Sequence, residues 1–104
     1  MNNYVPEDWE SEFEFLEKTP TENRRASFLN YCKKNFEREK QGQLSIEEAS
    51  NRICSASSLF FKEIMPEFSD VMDIACDLEL PIEYRDRGID DWEKLKEIIN
   101  RAQI

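Results

Sequence analysis

The sequence predicts an all-α protein, a compact bundle of four or five mostly antiparallel helices built by residues 1–104 as a single helical domain. Three observations carry that expectation. No stretch alternates apolar and polar residues over the length of a normal strand. Apolar residues recur instead at intervals of three and four, the spacing that lines up one side of a helix. Helix-breaking residues are sparse: the glycines are Gly42 and Gly88, and the four prolines fall at segment edges. Aromatic residues make up 12% of the chain, with Trp9, Trp92 and seven phenylalanines, so a packed core is affordable despite 36% charged residues. A chain of this length buries about two thirds of its unfolded surface on folding.

The first helix opens at Asn3 or at Val5-Pro6, since proline is tolerated in a first turn where its missing donor is not needed. Val5, Trp9, Phe13 and Leu16 form its apolar stripe, while Glu7, Glu10, Glu14 and Glu17 recur on another face. Thr19-Pro20-Thr21 ends it. Thr21 or Asn23 caps a second helix that runs to about Lys40 and buries Phe28, Tyr31 or Cys32, and Phe36. Gly42 stands where a helix C-terminus uses glycine.

Ser45 and Glu48 have capping-box spacing, in which each side chain satisfies the other residue's backbone donor. The helix they start carries Ile46, Ala49, Ile53, Ala56, Phe60 and Ile64 in one stripe and reads as central. Pro66 ends or kinks it. From Glu67 to Leu80 the pattern divides sharply, with Phe68, Val71, Met72, Ala75 and Leu78 on one face and Glu67, Asp70, Asp73 and Asp77 opposite. Pro81 closes that helix, and residues 82–88 are irregular. Asp90 with Glu93 predicts a second capping box, followed by a last apolar face of Trp92, Leu95, Ile98, Ile99 and Ala102.

The three cysteines, Cys32, Cys54 and Cys76, are odd in number and each lies in or beside an apolar helical pattern, so three buried free thiols are expected. No secretory leader opens the chain and no apolar run reaches membrane-spanning length. The expectation is a soluble cytoplasmic protein.

Chemistry is thinly represented. Histidine is absent, which removes an imidazole base, a histidine metal ligand and a histidine-based triad. The cysteines lack the close pairing of a zinc knuckle, and there is no glycine-rich phosphate cradle or calcium loop. Neither a catalytic role nor a bound cofactor or metal is expected.

Charge is the distinctive feature. The chain has 23 acidic against 14 basic side chains, a net charge of -9, and the excess is segregated. Residues 1–18 and 43–82 are acidic. Residues 19–42 between them are net positive through Arg24, Arg25, Lys33, Lys34, Arg38 and Lys40. Such a pattern suits intramolecular pairing of helices of opposite sign, and the overall charge repels nucleic acid. A basic protein partner fits better: Glu67, Asp70, Asp73 and Asp77 lie at near-helical spacing, able to steer a cationic cleft into register. Charge mostly steers, so affinity needs apolar anchors. Tyr84 beside Arg85 is one candidate; Phe61, off the main stripe, reads more readily as core.

The run Gly42-Gln43-Leu44-Ser45-Ile46-Glu47-Glu48-Ala49, then Asp73-Ile74-Ala75-Cys76-Asp77-Leu78, Arg85-Asp86-Arg87-Gly88-Ile89-Asp90 and Leu95-Lys96-Glu97-Ile98-Ile99, resembles in order the small helical bacterial immunity proteins of the colicin D type and their contact-dependent-inhibition relatives. The resemblance covers residues 26–102, with the acidic first helix as an addition. It implies a cytoplasmic protein that occludes a nuclease toxin's active site, carboxylates standing where RNA phosphates would sit. Carried over by position, those carboxylates are Asp70, Asp73 and Asp77 on the helix and Glu83, Asp86, Asp90 and Asp91 near the turn. The rival expectations are a regulatory adaptor or small structural subunit, and a DNA-binding regulator using Ser45 to Ala56 in a helix-turn-helix. The composition disfavours the second. Nothing in the sequence fixes the oligomeric state.

Overall fold

The computed structural model describes residues 6–86 and 88–102. Among them all regular structure is helical and there is no strand. The α-helices are α1 (Pro6–Glu17), α2 (Arg24–Lys40), α3 (Ile46–Leu59), α4 (Phe61–Ile64), α5 (Ser69–Leu78) and α6 (Ile89–Arg101), with 3-10 turns at Thr21–Asn23 and Ile82–Tyr84. The described residues thus hold six α-helical segments in place of the expected four or five, because the central helix divides. Phe60 leaves helical geometry at φ -100 and ψ 21, and the single turn of α4 then packs against both α2 and α3. This bend buries Phe60 and Ile64 while turning Phe61 outward, 51% exposed. The core reading of Phe61 is therefore corrected.

The local stop and start signals around α2 and α3 act as their chemistry dictates. Gly42 takes φ +80, the left-handed region open to glycine at little cost. The chain then folds back so that the Gln43 and Leu44 N–H groups both donate to the Arg38 carbonyl, at 2.8 and 3.3 Å. Leu44 enters the core. At the head of α3, Ser45 Oγ accepts from the Glu48 N–H at 3.0 Å and Glu48 returns a carboxylate oxygen to the Ser45 N–H at 2.8 Å. The second expected box does not form. Gly88 caps α6 without a side-chain bond, and the Asp91 N–H donates to the Gly88 carbonyl at 3.0 Å; the helix begins one residue early and places Asp90 inside its first turn.

Helix α3 packs on α2 and α5, and α6 closes the bundle against α5 and α2. One contiguous core runs from Leu16 to Ile99 and takes in Phe28, Cys32, Ile53, Phe68, Leu78, Trp92 and Leu95. Phe28 lies beside Phe68 at 5.8 Å between ring centroids. Phe36 meets Trp92 edge to face at 5.5 Å, and the indole N–H reaches Glu39 at 3.2 Å. That bond lets a buried Trp keep its polar group satisfied. The Cα radius of gyration is 13.1 Å, the value expected of a compact chain of this length, about 13 Å. Phe13 and Leu16 of the predicted first stripe do pack on or in the core; Val5 and the Trp9 side chain lie outside the described residues.

The expectation of three free thiols is corrected. Cys54 on α3 and Cys76 on α5 form a disulfide with Cα atoms 5.1 Å apart, while Cys32 is a buried free thiol whose pKa burial pushes up. One turn away Asn51 on α3 donates to Glu79, the capping residue at the end of α5, at 2.7 Å. Since 51 faces 79 and 54 faces 76, α3 and α5 run antiparallel.

The basic stretch of α2 turns inward. Glu12 of α1 takes a fork of bonds from Arg38 and one from Lys34 at 3.1 Å. Arg25 grips Glu67 through two bonds of 2.8 and 2.6 Å and lies 5.4 Å from the Phe68 ring centroid. Arg24 donates to the carbonyl of Thr19 at 2.9 Å and of Glu17 at 3.4 Å, a cation placed where the end of α1 gathers negative dipole charge. The opposed charges of the two segments are thus largely used within the fold.

Candidate functional site

Among the exposed acidic residues, one set lies on α1, at Glu10, Glu14 and Glu17, and a second on α5 and the segment leading into α6, which also carries exposed apolar side chains. Asp70, Asp73 and Asp77 fall at i, i+3 and i+7 of one helix. A row of that spacing extends about 10 Å along the axis. Asp70 and Asp73 are exposed, and among the described residues no hydrogen bond or ion pair engages their carboxylates. Asp77 is half-buried, and its Oδ1 accepts the Asp86 N–H at 3.2 Å. That bond joins the helix to the acidic turn, where Glu83 and Asp86 are exposed, as is Asp90 at the start of α6.

Two predicted residues are placed differently. Glu67 precedes α5 and is committed to Arg25, whose hydrogen bonds hold its carboxyl below the ordinary range. It is a staple between α2 and the start of α5. Asp91 is partly buried in the first turn of α6, a position where the free N–H groups favour a carboxylate on structural grounds. Asp90 shares that position but faces solvent.

The apolar component is larger than the sequence suggested. Tyr84 is 70% exposed, and Ile82 and Ile89 are 75% and 62% exposed, with Leu80 also outward. Isolated exposed apolar residues are ordinary, but four in one short segment, interleaved with acids, make a feature typical of interaction surfaces. Ile82 and Tyr84 ride on the 3-10 turn that follows Pro81. The turn is clamped from below by Arg85, which donates to the Leu80 carbonyl at 2.8 Å and to Glu47 of α3 at 2.7 Å. Its side chain is largely buried, at 12% exposure. Arg85 is therefore a positioning group: it closes the turn on itself and fixes it to the head of α3.

Sequence reasoning missed Ile82, Leu80 and Ile89 because they lie in or beside residues 82–88, which read as irregular, with no periodicity to assign a face. The available signal was Pro81, which stops α5 and leaves the next residues without a helical face to bury. A second opening lies between α1 and α2, a groove of about 500 Å³ lined by Ser11, Glu12, Phe15, Leu16, Ser27, Asn30, Tyr31 and Lys34. Its Lys34 and Glu12 are already paired. No helix among the described residues is long and apolar enough to cross a membrane. The chain matches no protein-family model, no curated protein and no solved structure.

Proposed function

We propose that this protein works without chemical turnover, as a stoichiometric binder of a basic protein, and that its role is that of an inhibitor or immunity protein occluding the cationic active site of a nuclease toxin. One observation carries the reading. An exposed apolar turn, Ile82 and Tyr84, follows a helix whose Asp70 and Asp73 carboxylates engage no cation among the described residues, and the bond from the Asp86 N–H to Asp77 ties that turn to the helix. Such a surface offers both elements that protein recognition requires: charge that steers and orients, and a rigid aromatic that buries. The site of an RNA- or DNA-cleaving enzyme presents the complementary cations, arranged for phosphates. Carboxylates of the row would take the phosphate positions, and Tyr84 would enter the space of a base. The same proposal puts the protein in the cytoplasm of a bacterial cell.

The exposed apolar set also suits an adaptor whose partner surface is mainly apolar, and salt separates the two. The test is co-purification of the partner from the native lysate at low and high salt, followed by assay of any nuclease so captured. A basic nuclease retained at low salt, inhibited at one-to-one stoichiometry and released by charge reversal at Asp70 and Asp73 (Asp70→Lys with Asp73→Lys) supports the proposal. Equal binding by that doubly reversed variant excludes an acidic-row mechanism, and salt-insensitive binding of a non-nuclease partner selects the adaptor.

A further inference from the structure

The structure brings together three potential metal ligands that the binding surface does not use. Cys54 Sγ, Cys76 Sγ and a carboxylate oxygen of Glu79 all lie within 4.8 Å of one another, and all three residues are partly solvent-accessible. Cys76 on α5 and Glu79, which caps that helix in helical geometry, are one turn apart, so both reach toward α3. Asn51, one turn from Cys54 on α3, donates to Glu79 Oε1 at 2.7 Å and holds that carboxylate beside the sulfurs. A hydrogen bond of this kind is what orients a ligating carboxylate in metal sites. An open recess of about 350 Å³ lined by Glu47, Glu48, Asn51, Arg52 and Glu79 gives an ion a route from solvent to the carboxylate.

We propose that the Cys54–Cys76 pair is one state of a redox-gated zinc site, and that the reduced chain binds one Zn²⁺ through Cys54, Cys76 and Glu79. In the disulfide the sulfurs are bonded to each other and supply no thiolates. A dithiol reductant delivers two electrons and two protons: the S–S bond breaks, Cys54 and Cys76 become thiols, and the reductant leaves as its own disulfide. Zinc then displaces both thiol protons and takes two thiolates and the Glu79 carboxylate, with water completing a tetrahedron. Tetrahedral Zn–S bonds of about 2.3 Å need the two sulfurs about 3.7 Å apart. Backbones already 5.1 Å apart at Cα meet that need by side-chain rotation. Two thiolates with one oxygen ligand favour Zn²⁺ over the oxygen-preferring Mg²⁺ and Ca²⁺.

The test uses the full chain and Co²⁺ as a spectroscopic substitute for zinc. Protein reduced in metal-free buffer and titrated with Co²⁺ is expected to develop thiolate-to-cobalt charge-transfer absorption and visible tetrahedral bands, saturating at one equivalent and bleached by Zn²⁺. The oxidised chain should develop neither. Cys54→Ser should abolish the thiolate signal of a pair. Glu79→Gln should keep thiolate absorption while weakening Zn²⁺ binding at least 10-fold, and Asn51→Ala should weaken it about 10-fold. Cys32→Ser should leave the spectrum intact, because Cys32 is buried apart from the cluster. Helical circular dichroism of the reduced chain is followed in parallel. A reduced native chain that gives no thiolate–cobalt band overturns the proposal. So does a band that survives replacement of both Cys54 and Cys76, or helicity that is lost on reduction and not regained with Zn²⁺.

Discussion

Glu12 shows how a single carboxylate in the acidic first helix comes to be structural. Burial alone would raise its pKa, but hydrogen bonds from Arg38 and Lys34, with their positive charges, outweigh that and hold it below the ordinary 4.5. Its fork with Arg38 is only 14% and 20% exposed on the two sides, which separates it from the surface pairs that contribute almost nothing. A group whose folded pKa lies below its unfolded value stabilises fully above the unfolded value and loses that contribution as pH falls through the folded one. Glu12→Gln should therefore cost about 1–2 kcal/mol at neutral pH. The difference should shrink as pH drops below 4.5 and vanish once the parental carboxylate is protonated. Urea unfolding of both proteins across that range checks it, and a pH-independent gap would show that Glu12 acts by packing instead. Arg25 and Glu67 have similar bond geometry but half-exposed Glu67, so the same substitution there should matter less.

At the scale of elements, what could be read in the sequence was what neighbouring residues decide among themselves. The capping box at Ser45 and Glu48 and the stop at Gly42 need only a few adjacent residues, and both form as their spacing predicts. The split of the central helix was not legible, because the apolar stripe runs on without a break through Phe60 and Ile64, both buried as it predicts, and only the packing of α4 on α2 and α3 shows where the helix bends and that Phe61 turns outward. The disulfide was hidden for a related reason: nothing local shows that α3 and α5 are antiparallel and in register at Cys54 and Cys76. The acidic row was visible as helical spacing, yet the loss of Glu67 to Arg25 depends on how α2 approaches the start of α5. A covalent tie between α3 and α5 has a measurable consequence. Closing a loop of 22 residues removes unfolded-state entropy worth about 3 kcal/mol. Reduction in metal-free buffer should lower the unfolding free energy by about that amount in urea titrations, and unchanged stability would mean that the α3–α5 contact is already restrained without the bond.

On the scale of the whole molecule, the proposed function divides the charged residues between folding and recognition. Arg24, Arg25, Lys34 and Arg38 face carboxylates or carbonyls of their own chain, so most cations in the positive middle of the sequence are engaged within the fold. The net charge of -9 leaves exposed carboxylates without cations among the described residues on α1, at Glu10, Glu14 and Glu17, and at Asp70 and Asp73 of α5, with Glu83 and Asp86 in the turn beyond it and Asp90 after that. Tyr84 projects from that turn while Arg85 anchors it to Glu47. The proposed function assigns steering and holding to different residues, and kinetics with a basic partner captured as proposed would separate them. Salt screens exposed charges over roughly 8 Å at physiological ionic strength. Raising salt, or reversing charge at Asp70 and Asp73, should then slow association at least 10-fold with a much smaller effect on dissociation. Tyr84→Ala should do the opposite, speeding dissociation about 10- to 100-fold, the cost of losing a buried aromatic anchor, while the salt dependence of association stays as it was. Arg85→Ala tests the link between them: by releasing the turn without removing Tyr84 or any acid, it should reproduce part of the dissociation defect and leave association steered. If all of these variants changed only the association rate, Tyr84 would belong to the solvated rim, and the binding energy would have to come from another part of the surface.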